Sequence, residues 1–119
     1  MAARVPRVLL HVEGAVVAVA AVTLYVHLGY PWWLLVVLAL APDLSMLGYL
    51  GGPAAGAVTY DLAHTYAVPV ALGVVGVLAG SDLAVEIALI WITHIGVDRA
   101  IGYGLKYPTA FKDTHLQRV

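Results

Sequence analysis

The sequence predicts an all-α fold, an integral-membrane four-helix bundle of up-down-up-down topology with both termini in the cytoplasm. Three observations support this fold class: 62% of the 119 residues are hydrophobic, only 11% are charged, and four long apolar stretches are separated by short breaks. A typical soluble chain is about 25% charged, and a membrane-spanning helix needs about 20 mostly apolar residues. The composition therefore indicates that lipid covers most of the surface.

The four predicted helices fill the chain, which forms a single domain over residues 1–119. They cover about residues 8–28, 32–49, 57–79 and 83–105, and a polar tail follows over 106–119. The separators contain the residues that stop helices or cap them, and connections this short favour antiparallel neighbours. These separators are Gly29-Tyr30-Pro31, Gly51-Gly52-Pro53 and Gly80-Ser81-Asp82.

The distribution of lysine and arginine predicts the orientation in the membrane. Basic residues precede the first helix and follow the fourth, namely Arg4, Arg7, Lys106, Lys112 and Arg118, whereas the short loops of the opposite side have none. By the positive-inside rule, we expect a multi-pass protein of the inner (plasma) membrane with cytoplasmic termini. The expected partners are the lipid bilayer and, because four short spans bury little core, a second copy in a homodimer. The net charge of −1 excludes a nucleic-acid binder with a basic face.

Almost every ionisable residue within the predicted spans falls in the half nearer the cytoplasm. Asp61 and His64 are three residues apart, and His94 and Asp98 are four apart, so each pair shares one helix face. Charged groups are expensive in hydrocarbon and are expected to turn inward and to pair. The candidate functional residues of this half are Glu13, Asp43, Asp61, His64, His94, Asp98 and Arg99.

The charges of this set do not balance, because four carboxylates face a single arginine. A divalent cation would reduce the surplus, and imidazole beside carboxylate is a ligand set typical of zinc, manganese or iron. The absence of cysteine excludes thiolate ligands. We predict a divalent-metal site, zinc in the first place and manganese or iron as alternatives. The predicted ligands are Asp43, Asp61, His64, His94 and Asp98, with Asp113 and His115 of the tail able to fold back.

The activity that such a site favours is metal-dependent hydrolysis of a lipid-soluble or headgroup ester. A bound metal lowers the pKa of water, and in this interpretation Glu13 accepts the proton while Arg99 stabilises the developing anion. Three alternatives stay open. The polar residues can serve as interhelical hydrogen-bonding glue, with Asp43 satisfying backbone groups freed by Pro42; they can relay protons or carry a metal ion; or the two histidines can bind haem.

Two resemblances follow from motifs spread over nearly the whole chain. Residues 41–49 (APDLSMLGY), 60–66 (YDLAHTY), 94–99 (HIGVDR) and 102–108 (GYGLKYP) resemble an uncharacterised bacterial family of small four-helix integral membrane proteins, a domain-of-unknown-function family. The order Pro42-Asp43, His64-Thr65 and His94 to Asp98 is more loosely similar to that of bacterial membrane-bound metal-dependent hydrolases. That family tends to carry an acid where this chain has Ser45 and a further histidine where it has Ala63.

Overall fold

The structure, a computed structural model, describes residues 5–39 and 41–102 and is helical throughout that part of the chain. Five α-helices and one 3₁₀ helix follow in the order α1 (Val5–His27), α2 (Trp32–Leu38), the 3₁₀ helix (Ala41–Gly51), α3 (Pro53–His64), α4 (Ala67–Ala79) and α5 (Asp82–Ile101). The all-α prediction is confirmed, since the described residues contain no strand. The predicted tail, with Asp113 and His115, lies outside the described residues, as do residues 103–105 of the predicted fourth helix.

Two of the four predicted helices are interrupted, and a proline causes each interruption. A proline inside a helix lacks an N–H and its ring clashes with the carbonyl four residues earlier. Pro42 stands four residues after Leu38, where α2 ends, and Pro69 stands four residues after Thr65, whose extended backbone separates α3 from α4. Both spans, 32–49 and 57–79, were predicted to be continuous helices, and this prediction is wrong: each consists of two helices.

The helix α5 lies at the centre of the fold and packs along α1 and α4, while the 3₁₀ helix packs along α3. Glycines permit the closest approaches between these helices. A Cβ atom added to Gly96 would lie 2.7 Å from the carbonyl oxygen of Gly14, and one added to Gly76 would lie 2.9 Å from Cβ of Ala84. Gly76 of α4 therefore packs against α5 within the chain.

Within residues 5–39 and 41–102, two segments are long and apolar enough to cross a membrane by length and composition: Val5–His27 and Pro53–Ala79, which includes α3 and α4. The outward faces of the helices are apolar as well. Val37, Val77 and Leu78 expose 66%, 69% and 83% of their surface, whereas Arg99 exposes only 7%. The described part of the chain thus exposes many large apolar side chains and buries three polar or charged ones, His64, His94 and Arg99.

Candidate metal centre

Four side chains from three elements converge near the end of α3. They are Asp43 from the 3₁₀ helix, His64 from α3, and His94 and Asp98 from α5, and one potential ligand atom of each lies within 4.8 Å of the others. His64 is fully buried, whereas the Asp43 side chain is 34% exposed. Asp43 therefore forms the accessible side of the group, which we call the metal group.

The distances within the metal group are short and similar. The Nε2 atoms of His64 and His94 lie 3.1 Å apart. The Oδ1 atom of Asp43 lies 3.2 Å from the first of these nitrogens and 3.0 Å from the second. The Oδ2 atom of Asp98 lies 3.3 and 3.2 Å from the same two atoms. Two nitrogens and two oxygens therefore surround a single point.

The other ring nitrogen of each histidine fixes its tautomer. Nδ1 of His64 lies 2.9 Å from the carbonyl oxygen of Tyr60, and Nδ1 of His94 lies 2.5 Å from that of Ala39. A carbonyl oxygen only accepts hydrogen bonds, so each Nδ1 must carry the proton and donate it. In the neutral ring, Nε2 then directs its lone pair toward the metal group. This is the arrangement that orients metal-binding histidines in proteins.

Protons alone satisfy this group poorly. With both rings neutral, two nitrogen lone pairs face each other at 3.1 Å beside two carboxylates. With both rings charged, the two carboxylates balance the charge and accept hydrogen bonds, but the two N–H donors and their positive charges still lie 3.1 Å apart. A single proton between the rings leaves the group of two carboxylates with a net negative charge. A divalent cation accepts all four lone pairs and cancels both carboxylates.

The helix breaks supply the carbonyl groups to which α5 binds. The last four carbonyls of any helix lack intrahelical partners. Beyond the His94 contact with Ala39, the Trp91 indole N–H donates to the carbonyl of Ala63, and the Arg99 guanidinium donates to that of His64 at 2.9 Å. Side chains of one continuous helix therefore cap the two interrupted ones, which places the ligands of both beside α5.

Rings and charges around the group hold its members in place. The Tyr60 ring stacks on the His64 ring with a centroid distance of 3.7 Å and an angle of 6°. The Arg99 guanidinium lies 5.8 Å from the centroid of the Tyr66 ring, and Asp61 acts electrostatically on the same arginine. The Tyr66 hydroxyl is buried and has no hydrogen-bond partner among the described residues.

The structure brings together four of the five predicted ligands. Asp61 is not a member of the metal group, although it lies on the same helix as His64 one turn earlier, and its role as a ligand stays a prediction. Glu13 is exposed on α1 and is also outside the group. Arg99 is buried and reaches the His64 carbonyl. The catalytic roles of Glu13 and Arg99 stay predictions as well.

Sequence reasoning missed the part that Trp91 plays as a donor to the Ala63 carbonyl. The signal was its position three residues before His94, which places both on one helix face. Next to the metal group lies a cavity of about 340 Å³, which the sequence did not predict. Its lining consists of Leu38, Ala41, Pro42, Ala63, Ile87, Ile90 and Trp91.

The fold and the metal group together define an all-helical protein in which two broken helices and one continuous helix form a buried two-histidine, two-aspartate site. The chain belongs to the family described as Domain of unknown function (DUF4260), whose profile matches residues 7–119. The predicted membership of a family of unknown function is thereby confirmed. Comparison with curated proteins and with solved structures gives no match.

Proposed function

We propose that this protein is a multi-pass protein of the inner membrane that holds one divalent cation, zinc in the first place, and hydrolyses an ester with it. The observation that carries the proposal is the convergence of two Nε2 and two carboxylate oxygen atoms, with both Nδ1 atoms engaged by backbone carbonyls. The membrane, the metal and the reaction rest on separate arguments.

The inverted polarity of the chain supports the membrane location. A contiguous apolar surface on a soluble monomer rarely exceeds a few hundred Å², whereas here large apolar side chains are exposed on every α-helix, among them Val19 at 67% and Trp32 at 74%. Interrupted helices also fit a bilayer when other protein groups satisfy the freed backbone. The α5 side chains do this at both breaks.

The spacing of the ligand atoms supports zinc. A tetrahedral ion with ligands at about 2.0–2.1 Å requires its ligand atoms to lie about 3.3 Å apart. The nitrogen–oxygen and nitrogen–nitrogen separations of the metal group, 3.0 to 3.3 Å, are near this value before any ion draws the ligands into place. Manganese and iron accept the same donor types in larger coordination spheres.

The positions of Asp43 and Arg99 support hydrolysis. Zinc-bound water loses a proton near neutral pH, and water would reach a zinc with four protein ligands by replacing one of them or by adding as a fifth ligand. Asp43 is the most exposed ligand, so this exchange is easiest on its side. The buried Arg99 lies beside the group and provides positive charge for a developing oxyanion. Glu13 acts electrostatically on Tyr66, the ring beneath Arg99, and we assign it the role of proton acceptor.

The test measures metal content of the purified protein after loading with zinc chloride and removal of excess metal. We expect about one zinc per chain, and loss of this zinc in His94→Ala and Asp98→Ala. The matched controls are His27→Ala and Asp82→Asn, which remove an exposed imidazole and an exposed carboxylate outside the metal group. No stoichiometric zinc in the parent, or equal loss in the controls, overturns the proposal.

The second candidate function is that of a metal-ion carrier, and the number of protein ligands favours ion binding over catalysis. Catalytic zinc sites usually have three protein ligands and an open position, whereas four protein ligands typify sites that hold the ion. Two results together would select this function: the parent protein transports zinc into proteoliposomes but shows no metal-dependent ester hydrolysis, and Asp98→Asn abolishes the zinc flux. Hydrolysis without flux would select the first.

A further inference from the structure

The cavity of about 340 Å³ is lined by residues that adjoin the metal group along the chain. Pro42 and Ala63 each immediately precede a residue of that group, and Trp91 lies one helical turn before His94. The same backbone breaks that position the ligands therefore form the cavity. A molecule that fills it contacts residues that directly precede Asp43 and His64 in the chain.

The lining of the cavity offers almost nothing to a polar ligand. Every lining side chain is apolar apart from the indole N–H of Trp91, and this N–H already donates to the Ala63 carbonyl. A polar group moved into such surroundings without a partner loses its hydrogen bonds with water. A hydrocarbon chain makes no hydrogen bonds with water that it could lose, so this lining favours a hydrocarbon chain over a polar ligand.

The surroundings of the cavity indicate where such a chain comes from. Leu38, at the end of α2, lines it, and the neighbouring residues Val36 and Val37 are each 66% exposed. In the proposed membrane location these residues meet the acyl chains of the bilayer. A lipid-type molecule can thus reach the cavity without passing through water.

We propose that the cavity holds the acyl chain of a carboxylic ester whose ester group lies at the metal group. This inference rests on the proposed function and names its substrate class. In the reaction, the water oxygen forms a bond to the acyl carbon and the acyl carbon–oxygen bond breaks. One water proton stays with the carboxylic acid and the other goes to the leaving alcohol.

The first experiment measures binding without any reaction. In a Trp32→Phe, Trp33→Phe background, Trp91 is the remaining tryptophan, and energy transfer from it reports 11-(dansylamino)undecanoate in the cavity. Ile87→Phe fills the cavity two helical turns from His94, and a bulky insertion of this kind weakens binding about tenfold. The matched control is Ile92→Phe, because Ile92 lines a different apolar groove between α1, α4 and α5.

The second experiment measures reaction and metal together. We expect the zinc-loaded parent to hydrolyse 4-nitrophenyl octanoate faster than 4-nitrophenyl acetate. In Ile87→Phe the preference should reverse, with a change of at least tenfold in the ratio of the two rates and with unchanged zinc content. Zinc binding without energy transfer, or an equal loss in Ile87→Phe and Ile92→Phe, overturns the acyl-chain inference alone. If the parent binds the dansyl probe but no zinc, the proposed function is overturned, and so is the assignment of a carboxylic ester as the substrate.

Discussion

The continuous helix α5 and the two interrupted helices supply different halves of the side-chain contacts at the helix breaks: α5 donates and the broken ends accept. α1 and α5 run for 23 and 20 residues without a break and meet through glycines. The other two apolar stretches break near Pro42 and Pro69 and expose carbonyls, to which α5 supplies the donors. The prolines therefore leave backbone carbonyls free to accept hydrogen bonds, and side chains of the continuous helix α5 donate to them.

The largest effect is expected where α5 caps the end of α3. Arg99→Met removes a buried donor from the His64 carbonyl and leaves neighbouring carboxylates without their cation, so we expect a loss of about 3 kcal/mol in the free energy of unfolding. Thermal or denaturant unfolding in detergent, followed by circular dichroism, measures it. Arg7→Met, on the exposed first turn of α1, serves as the control. Similar losses in both variants would contradict the capping role.

The next effect concerns the contact between the two continuous helices. A methyl group on Gly96 would lie 2.7 Å from both the Gly14 oxygen and the Ala18 nitrogen, so α1 must move away from α5. We expect Gly96→Ala to destabilise the protein by about 2 kcal/mol. At Gly73 the added atom would lie 3.3 Å from Cβ of Ala88, and Gly73→Ala should cost less. An unfolding assay that ranks the two variants in the opposite order would contradict this packing.

A third prediction restores one broken helix. Pro42→Ala permits α2 to continue, so the Ala39 carbonyl gains an intrahelical partner and His94 loses its acceptor. Since loss of such an outer contact typically weakens metal binding 10–100-fold, we expect a decrease of about that size. Competition with a zinc chelator measures it. Pro53→Ala, in the first turn of α3, is the control, and unchanged affinity in Pro42→Ala would show that the break does not position the ligands.

Sequence reasoning could predict the helical class, the apolar stretches and the four residues of the metal group, because periodicity and the cost of buried charge act locally. Helical spacing alone places His94 and Asp98 on one helix face, and it does the same for His64 and Asp61. Pro42 was identified as a bend, whereas the break before Pro69 was missed. A proline can be accommodated by a kink or end a helix, and tertiary contacts decide between these outcomes.

The positions of Asp61 and Glu13 could not be predicted in the same way. Helical spacing puts Asp61 and His64 on one face, but it does not specify which side of α3 meets α5 once the chain turns at Thr65. In the structure Asp61 instead acts electrostatically on Arg99. The carbonyls of Ala39 and Ala63 carry no sequence signal, because every residue has such a group and only a break makes it an acceptor for a side chain.

The smallest predicted effect separates the second cap of α3 from the metal group itself. Trp91→Phe keeps an aromatic ring in the cavity wall but removes the N–H that donates to the Ala63 carbonyl, so we expect a loss of about 1 kcal/mol in unfolding free energy. Trp32→Phe, at a residue that is 74% exposed, should change it by much less. Because Trp91 donates to the backbone and not to a ligand, zinc stoichiometry should stay unchanged. Loss of zinc in Trp91→Phe would show instead that the carbonyl caps and the metal group form one cooperative unit.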